Sequence, residues 1–203
     1  MSYRIEEKLS IDKNNIVDFK SYLTEKSVEQ IYKPRKIESL YFENFKYEMY
    51  NDSIEGVTPR KKIRLRHYPE AEDNKLYLEF KISSIEGRFK TRTIIDKKKY
   101  DYLKSYGIAD SQYGLCKPCL YVTYDREYFK MNDVRISIDN NIKYKLYPEN
   151  IFEKDFSSIV EIKTSIKKNL DELIEDFPFQ KKRFSKYCNA VEKIIFKKNE
   201  FPF

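Results

Sequence analysis

The sequence predicts an α+β fold in which about eight strands, with helices between and after them, close into one barrel. Three observations carry this. Residues 61–68 and 76–81 alternate with period two, so each is a strand with two different faces. The same pattern of one apolar and one charged face recurs in three further segments. No repeat, linker or low-complexity tract interrupts the 203 residues, a length that suits one domain over 1–203.

The charged faces are the unusual part. In 61–68, Ile63 and Leu65 point one way and Lys62, Arg64 and Arg66 the other. In 76–81, Leu76, Leu78 and Phe80 oppose Tyr77, Glu79 and Lys81. Arg135, Ser137 and Asp139 share one face of their strand, Glu161 and Lys163 oppose Val160 and Ile162, and Arg4, Glu6 and Lys8 fall together near the N-terminus. A solvated sheet face is the commonest cause of such alternation, but it would use Thr, Ser, Gln and Asn more freely. If the sheet curls with its apolar side under helices, these rows line a polar tunnel.

The elements follow in order. After the first strand, Asp12 is placed to cap a helix over 13–27 with Ile16, Phe19 and Leu23 on one face. Residues 37–43 form a strand. Residues 44–60, with Asn51-Asp52, Gly56 and Pro59, read as a loop. The two charged strands come next, joined by the acidic turn 69–74. Residues 89–95 are a strand with Lys90 and Arg92 on one face, and a helix over 96–106 ends at Gly107. Residues 120–129 and 133–139 read as a hairpin, with Tyr124 and Arg126 sharing a face. A short strand at 142–147, a long one at 159–164 and two helices near 167–176 and 180–197 complete the chain. The last helix carries Phe184, Tyr187, Val191 and Ile194 at helical spacing.

Composition narrows the chemistry. With only 4 Gly there is no glycine-rich phosphate loop, so any phosphate must be gripped by side chains. The net charge of +7 suits nucleic acid, anionic lipid or a polyanionic small molecule. No apolar run approaches the ~20 residues of a membrane span. The N-terminus enters a charged strand without a secretory leader, so the expected location is cytoplasmic. Cys116-Lys117-Pro118-Cys119 has the spelling of a redox pair, but it runs into a strand instead of opening a helix, and coincidental thiols are the better reading.

Arg and Lys facing one another across strands repel in an empty protein, and a polyanion is the missing counter-charge. The interleaved glutamates would repel phosphate unless a divalent cation lies between, the usual setting for Mg²⁺ or Mn²⁺. Metal-bound polyphosphate or nucleotide therefore fits better than nucleic acid, which is not an expected partner. For Glu6, Glu79 and Glu161 singly, internal ion pairing is the alternative.

An ordered series of short motifs now stands out. Arg4-x-Glu6-x-Lys8, Ser39-Leu40-Tyr41-Phe42-Glu43-Asn44, Lys62-Ile63-Arg64-Leu65-Arg66-x-Tyr68, Leu78-Glu79-x-Lys81 and Tyr124-x-Arg126 come first. Arg135-x-Ser137-x-Asp139, Val160-Glu161-x-Lys163 and Ser185-Lys186-Tyr187 follow. Over roughly 3–192 the chain resembles the catalytic domain of the vacuolar transporter chaperone family, the polyphosphate polymerases of the triphosphate tunnel superfamily. Ser137 stands where that family more often has Thr. The resemblance implies an eight-stranded antiparallel tunnel with flanking helices, in which the γ-phosphoryl of ATP passes to a growing polyphosphate chain. It implies Lys8, Arg64, Arg66, Lys81, Arg135 and Lys163 as catalytic phosphate ligands. Tyr41, Lys90, Arg92, Arg126, Ser185 and Lys186 would contact substrate. Glu161 would hold Mn²⁺ or Mg²⁺, with Glu6 or Glu79 as further ligands. Larger family members add regulatory and membrane domains for which this chain has no room, so a separate membrane protein, holding the chain at the inner face of a membrane, is the expected partner. A triphosphate hydrolase of the same fold and a non-catalytic binder of polyphosphate or RNA are the alternatives.

Overall fold

The computed structural model describes residues 4–11, 15–131, 134–165 and 184–196. The strands are β1 (Arg4–Ile11), β2 (Glu29–Glu43), β3 (Arg60–His67), β4 (Leu76–Ser84), β5 (Gly87–Ile95), β6 (Ile108–Asp110), β7 (Gly114–Met131), β8 (Val134–Leu146), β9 (Phe152–Lys154) and β10 (Ser158–Ser165). The helices are α1 (Asn15–Glu25), α2 (Glu48–Glu55), α3 (Lys97–Tyr106) and α4 (Lys186–Val191), the last running into a π-helical turn, Glu192–Phe196. The hydrogen-bonded strand order is β1-β10-β8-β7-β2-β3-β4-β5, with β6 on β7 and β9 on β8. The expected eight strands lie along that path, but its ends are β1 and β5 and among the described residues no pairing joins them, so the expected closure into a barrel is not seen. Among the described residues no helix is long and apolar enough to cross a membrane.

The chain divides into two compact units. The first comprises Met1–Lys36, Tyr124–Ile142 and Asp155–Phe184. Its core packs α1 residues Phe19 and Leu23 on Leu9, Ile11, Ile136, Ile138, Val160 and Ile162. The second comprises Ile37–Thr123, Lys143–Lys154 and Ser185–Phe203. Its core joins Leu40, Phe42, Met49, Ile63 and Leu65 to Tyr100 and Leu103 of α3. On β3, β8 and β10 the apolar parity read from the sequence is buried, as a strand with one face under a helix requires, while on β4 Leu76, Leu78 and Phe80 are half-buried against the same core.

Several elements differ from expectation. Residues 44–60 are not all loop, because α2 forms within them. Its N-cap residue Tyr47 is left-handed (φ 56) and offers no side-chain cap. The Glu43 carboxylate does that work, accepting from the backbone N–H groups of Met49 (3.2 Å) and Tyr50 (3.0 Å), while Asn44 Oδ1 accepts from Glu48 N (3.0 Å). Gly56 (φ 82) closes the helix. β2 begins at Glu29, earlier than expected, because its first residues are mostly exposed and carry no alternation. Residues 142–147 are no separate strand. β8 runs on through Asn141 (φ 52), whose short amide side chain tolerates the left-handed conformation. The short strands β6 and β9 went unread. The proposed cap Asp12 and the helix near 167–176 lie outside the described residues. The last helix starts at Lys186 and not near 180, because Ser185 is extended and caps it; Phe184 precedes the helix, while Tyr187, Val191 and Ile194 are buried as their spacing implied.

Candidate functional site

In the second unit the antiparallel register stacks charge into rows. Lys62, Lys81 and Lys90 lie directly opposite one another across β3, β4 and β5. The next row is Tyr41, Arg64, Glu79 and Arg92 across β2 to β5, and the next is Ser39, Arg66, Tyr77 and Ile94. Opposed residues on antiparallel strands share a face, so three lysines fall in one row.

Glu79 is the hub of this face, with 1% of its surface exposed. Its Oε2 lies 2.7 Å from Arg64 Nε and 3.8 Å from an Arg66 nitrogen. Its Oε1 lies 2.7 Å from Lys90 Nζ and 3.1 Å from Arg92 Nε. Burial opposes the carboxylate's charge, but Arg64, Arg66 and Lys90 overcome it and hold the carboxyl at about 2. Arg64 also donates to Tyr41 Oη at 2.7 Å. Burial raises the Tyr41 phenol, yet Arg64, Arg66 and Lys62 bring it down to about 8. Burial lowers Lys90 in turn, against the pull of Glu79. Arg92 lies 3.6 Å from the Tyr77 ring centroid and donates to Tyr68 Oη at 2.8 Å.

The start of α4 reaches the same face. Lys62 Nζ donates to Ser185 Oγ at 2.8 Å and lies 5.3 Å from the Tyr187 ring, which stacks on Tyr41. Ser185 also caps α4 by accepting from Cys188 N. Tyr187 donates its hydroxyl to Glu43. The Lys186 side chain is half-buried beside Ser185.

In the first unit the register sets Lys8 opposite Glu161 and Glu161 opposite Ser137; Glu6 faces Lys163, and Lys163 faces Arg135. The side chain of Glu6 lies outside the described residues. Asp139 is fully buried and holds Arg126 bidentately at 2.5 and 2.7 Å. Glu161, 8% exposed, has Oε1 2.5 Å from Lys163 Nζ and Oε2 3.5 Å from Arg126. Burial opposes its ionisation, but Arg126, Lys163 and Lys8 hold it well below the usual carboxylate range. Lys8 donates to the Phe184 carbonyl at 3.3 Å, and Arg135 is exposed.

The charged parities are therefore not solvated faces: Arg66, Glu79, Asp139 and Glu161 are all buried. The structure brings Arg64, Arg66, Lys90 and Arg92 to Glu79, with Tyr41 on Arg64, sets Lys81 on the same face, and brings Ser185 to Lys62; Arg126 and Lys163 meet Glu161, Lys8 lies opposite it, and Arg135 lies opposite Lys163. Sequence reasoning set Lys62 on the face of Arg64 and Asp139 on that of Arg135 but gave neither a role in the site. Parity alone was the available signal for both. The Cys116 and Cys119 thiols are pushed up to about 12 by burial, which rules against a thiolate redox pair.

The donor set fits a divalent cation only as part of a phosphate complex. Among the described residues no three His, Cys, Asp or Glu side chains gather to hold a metal. Both Glu79 oxygens lie within ion-pair distance of cations, although the buried Oε1 accepts no hydrogen bond among the described residues. Glu161 is ionised, and its Oε2 meets Arg126 too loosely for a hydrogen bond. A Mg²⁺ or Mn²⁺ ion held by one or two carboxylates together with phosphate and water suits such a residue.

Comparisons with known proteins agree with this geometry. No curated protein matches the chain. A candidate adenylate cyclase from Bacillus halodurans superposes with a TM-score of 0.63 at 12% identity, covering 96% of this chain and 98% of that one. Another from Vibrio parahaemolyticus gives 0.58 at 13%, covering 94% and 98%. A conserved hypothetical protein from Pyrococcus furiosus gives 0.50 at 20%, covering 85% of each chain. These likenesses show the fold, that of the triphosphate tunnel proteins. The VTC domain model matches residues 3–195, and the chain belongs to the VTC domain family.

Proposed function

We propose that this protein is a metal-dependent polyphosphate polymerase that transfers the γ-phosphoryl group of ATP to a growing polyphosphate chain. Its family and fold support work on triphosphates or polyphosphate. The observation that carries the proposal is the row Lys62, Lys81 and Lys90, beside one carboxylate shared by Arg64, Arg66, Lys90 and Arg92. Like charges directly opposed destabilise an empty sheet, and a polyanion relieves them.

In this reading Arg64, Arg66 and Arg92 bind phosphate oxygens through their planar forks, while Lys62, Lys81 and Lys90 act as point charges. Tyr41 and Ser185 hold Arg64 and Lys62 in place. Lys8, Arg126, Arg135, Lys163 and Lys186 are further phosphate ligands. Glu161, with Glu6, would hold the cation, which when bound neutralises charge building on phosphate oxygens. A terminal phosphate oxygen of the acceptor bonds to the γ-phosphorus as the bond to the β–γ bridging oxygen breaks, releasing ADP and a chain one unit longer. Little covalent chemistry is asked of the protein, and positioning with charge neutralisation supplies most of the catalysis.

The test is to incubate purified protein with ATP and Mn²⁺ or Mg²⁺. The expected products are ADP and an acid-labile polymer longer than triphosphate. ADP with stoichiometric orthophosphate and no polymer would make the protein a hydrolase, and neither product would make it a binder.

A further inference from the structure

Glu43, the last residue of β2, is a buried carboxylate outside the Glu79 cluster, with 4% of its surface exposed. It lies two residues past Tyr41, so it shares parity with Ser39 and Tyr41 and carries the charged face to the end of the strand. Its Oε1 accepts from the backbone N–H groups of Asn44 (2.9 Å) and Met49 (3.2 Å). Its Oε2 accepts from Tyr50 N (3.0 Å) and from the Tyr187 hydroxyl. Both oxygens act as acceptors, which a carboxylate can do and a carboxamide cannot.

Capping α2 accounts for only part of this arrangement. Met49 and Tyr50 lie in the first turn of α2, and a side chain that closed that turn would need nothing more. Tyr187 belongs to α4. Its ring, 2% exposed, stacks on that of Tyr41 at 5.1 Å with 30° between the planes, and Lys62 Nζ lies 5.3 Å from its centroid. Tyr41 Oη in turn receives Arg64 at 2.7 Å. A stacked ring anchored only at its Cβ is able to slide and tilt, and a hydrogen bond at its far end removes that freedom.

One carboxylate therefore ties β2, α2 and α4 to two cations of the charged rows. The links run from Glu43 to Tyr187, from Tyr187 to Lys62 and Tyr41, and from Tyr41 to Arg64. Groups that grip phosphate must be held close to their working geometry, and a displacement of about 1 Å is costly.

We propose that Glu43 is a positioning residue of the phosphate face, acting through the Tyr187 hydroxyl on where Lys62 and Arg64 present their charge. The inference rests on the reading above that this face binds triphosphate or polyphosphate. Glu43 itself touches no phosphate.

Calorimetric titration with inorganic tripolyphosphate, alongside thermal melts, tests it on the wild type, Tyr187→Phe, Glu43→Gln, the double variant and Asn44→Ala. Tyr187→Phe keeps the ring and the α2 cap and removes only the hydroxyl, so it reports on the bond even where Glu43→Gln lowers stability. Asn44→Ala weakens the start of α2 by deleting the oxygen that accepts from Glu48 N at 3.0 Å, and it leaves the Tyr187 bond in place. The expected result is a rise of about fivefold in the Kd for tripolyphosphate with Tyr187→Phe and at least as much with Glu43→Gln. The double variant should bind no more weakly than Glu43→Gln alone, because both changes break one link. Asn44→Ala should lower Tm and leave Kd unchanged. Tyr187→Phe and Glu43→Gln proteins that bind as the wild type does, or an Asn44→Ala protein whose Kd rises as much as theirs, would overturn the positioning role while leaving the phosphate face standing. A wild type that binds no tripolyphosphate would overturn the reading of the face, and the role with it.

Discussion

Glu79 and Glu161 are both buried, ionised carboxylates ringed by cations, yet the charge around them is balanced differently. Glu79 serves Arg64, Arg66, Lys90 and Arg92 alone. In the first unit Arg126 spends its fork on Asp139, so that Arg126 and Lys163 meet two carboxylates, Asp139 and Glu161. The difference teaches which partner each centre lacks. Around Glu79 four cations share one carboxylate, and in the proposed reading an anion joins them. Around Glu161 a second carboxylate, Asp139, takes the fork of Arg126, and one Glu161 oxygen lies 3.5 Å from Arg126, which in the proposed reading leaves it to a cation arriving with phosphate.

The comparison sharpens most under substitution of the two glutamates. Glu161→Gln should lower turnover roughly a thousandfold, about 4 kcal/mol of barrier, if it holds the catalytic cation. Its folding cost should be about 3 kcal/mol, because Lys163 and Lys8 lose their carboxylate although Arg126 keeps Asp139. Steady-state kinetics alongside urea melts separate the two, and normal turnover with unchanged metal dependence would reduce Glu161 to an ion-pair residue.

Glu79→Gln should act chiefly on stability. Leaving four cations without their shared carboxylate should cost about 3 kcal/mol, the lower end of the range for broken buried pairs because Lys90 and Arg92 are partly exposed. Tripolyphosphate should restore part of that loss by binding the folded state. The folded carboxyl lies near 2 against an ordinary 4.5, so its stabilisation is present above pH 4.5 and fades as pH falls toward 2. The difference in melts between wild type and variant should therefore shrink across that acid window.

A smaller effect concerns Tyr41. Its phenol ionises near 8 where 10.0 is ordinary, so its ionisation adds stability above pH 10 that is lost as pH falls through 8. Tyrosinate absorbance should show one early component that Tyr41→Phe removes and that tripolyphosphate moves upward by occupying Arg64 and Arg66. An early component unmoved by tripolyphosphate would mean that the anion binds elsewhere.

How far the sequence could be read follows the same physical lines. Rows on β3, β4, β8 and β10 were legible because Ile63, Leu65, Ile136, Ile138, Val160 and Ile162 alternate strictly against a core, which assigns every intervening charge to the other face. α3 was legible because its stop, Gly107, is local. α2 was not, since its capping carboxylate, Glu43, ends the preceding strand and lies outside the usual cap spacing. The first half of β2 was not, because an exposed strand has no reason to alternate. Parity placed Arg64 and Glu79 on one face but could not give their pairing, which depends on the register between strands. Register is also what turned Lys62, a residue no different in sequence from its neighbours, into one end of a row of three lysines.

That row offers the most direct test of the central claim, that repulsion built into the β3–β4–β5 face is the signature of a polyphosphate site. Thermal melts of the wild type and of a variant with Lys62, Lys81 and Lys90 all changed to Met, each with and without tripolyphosphate, measure it. The expected result is a variant at least as stable as the wild type in low-salt buffer, since opposed like charges cost about 0.2–1 kcal/mol each, together with loss of most of the ligand-induced rise in Tm. A variant that melts earlier in buffer yet gains as much from tripolyphosphate as the wild type would contradict it.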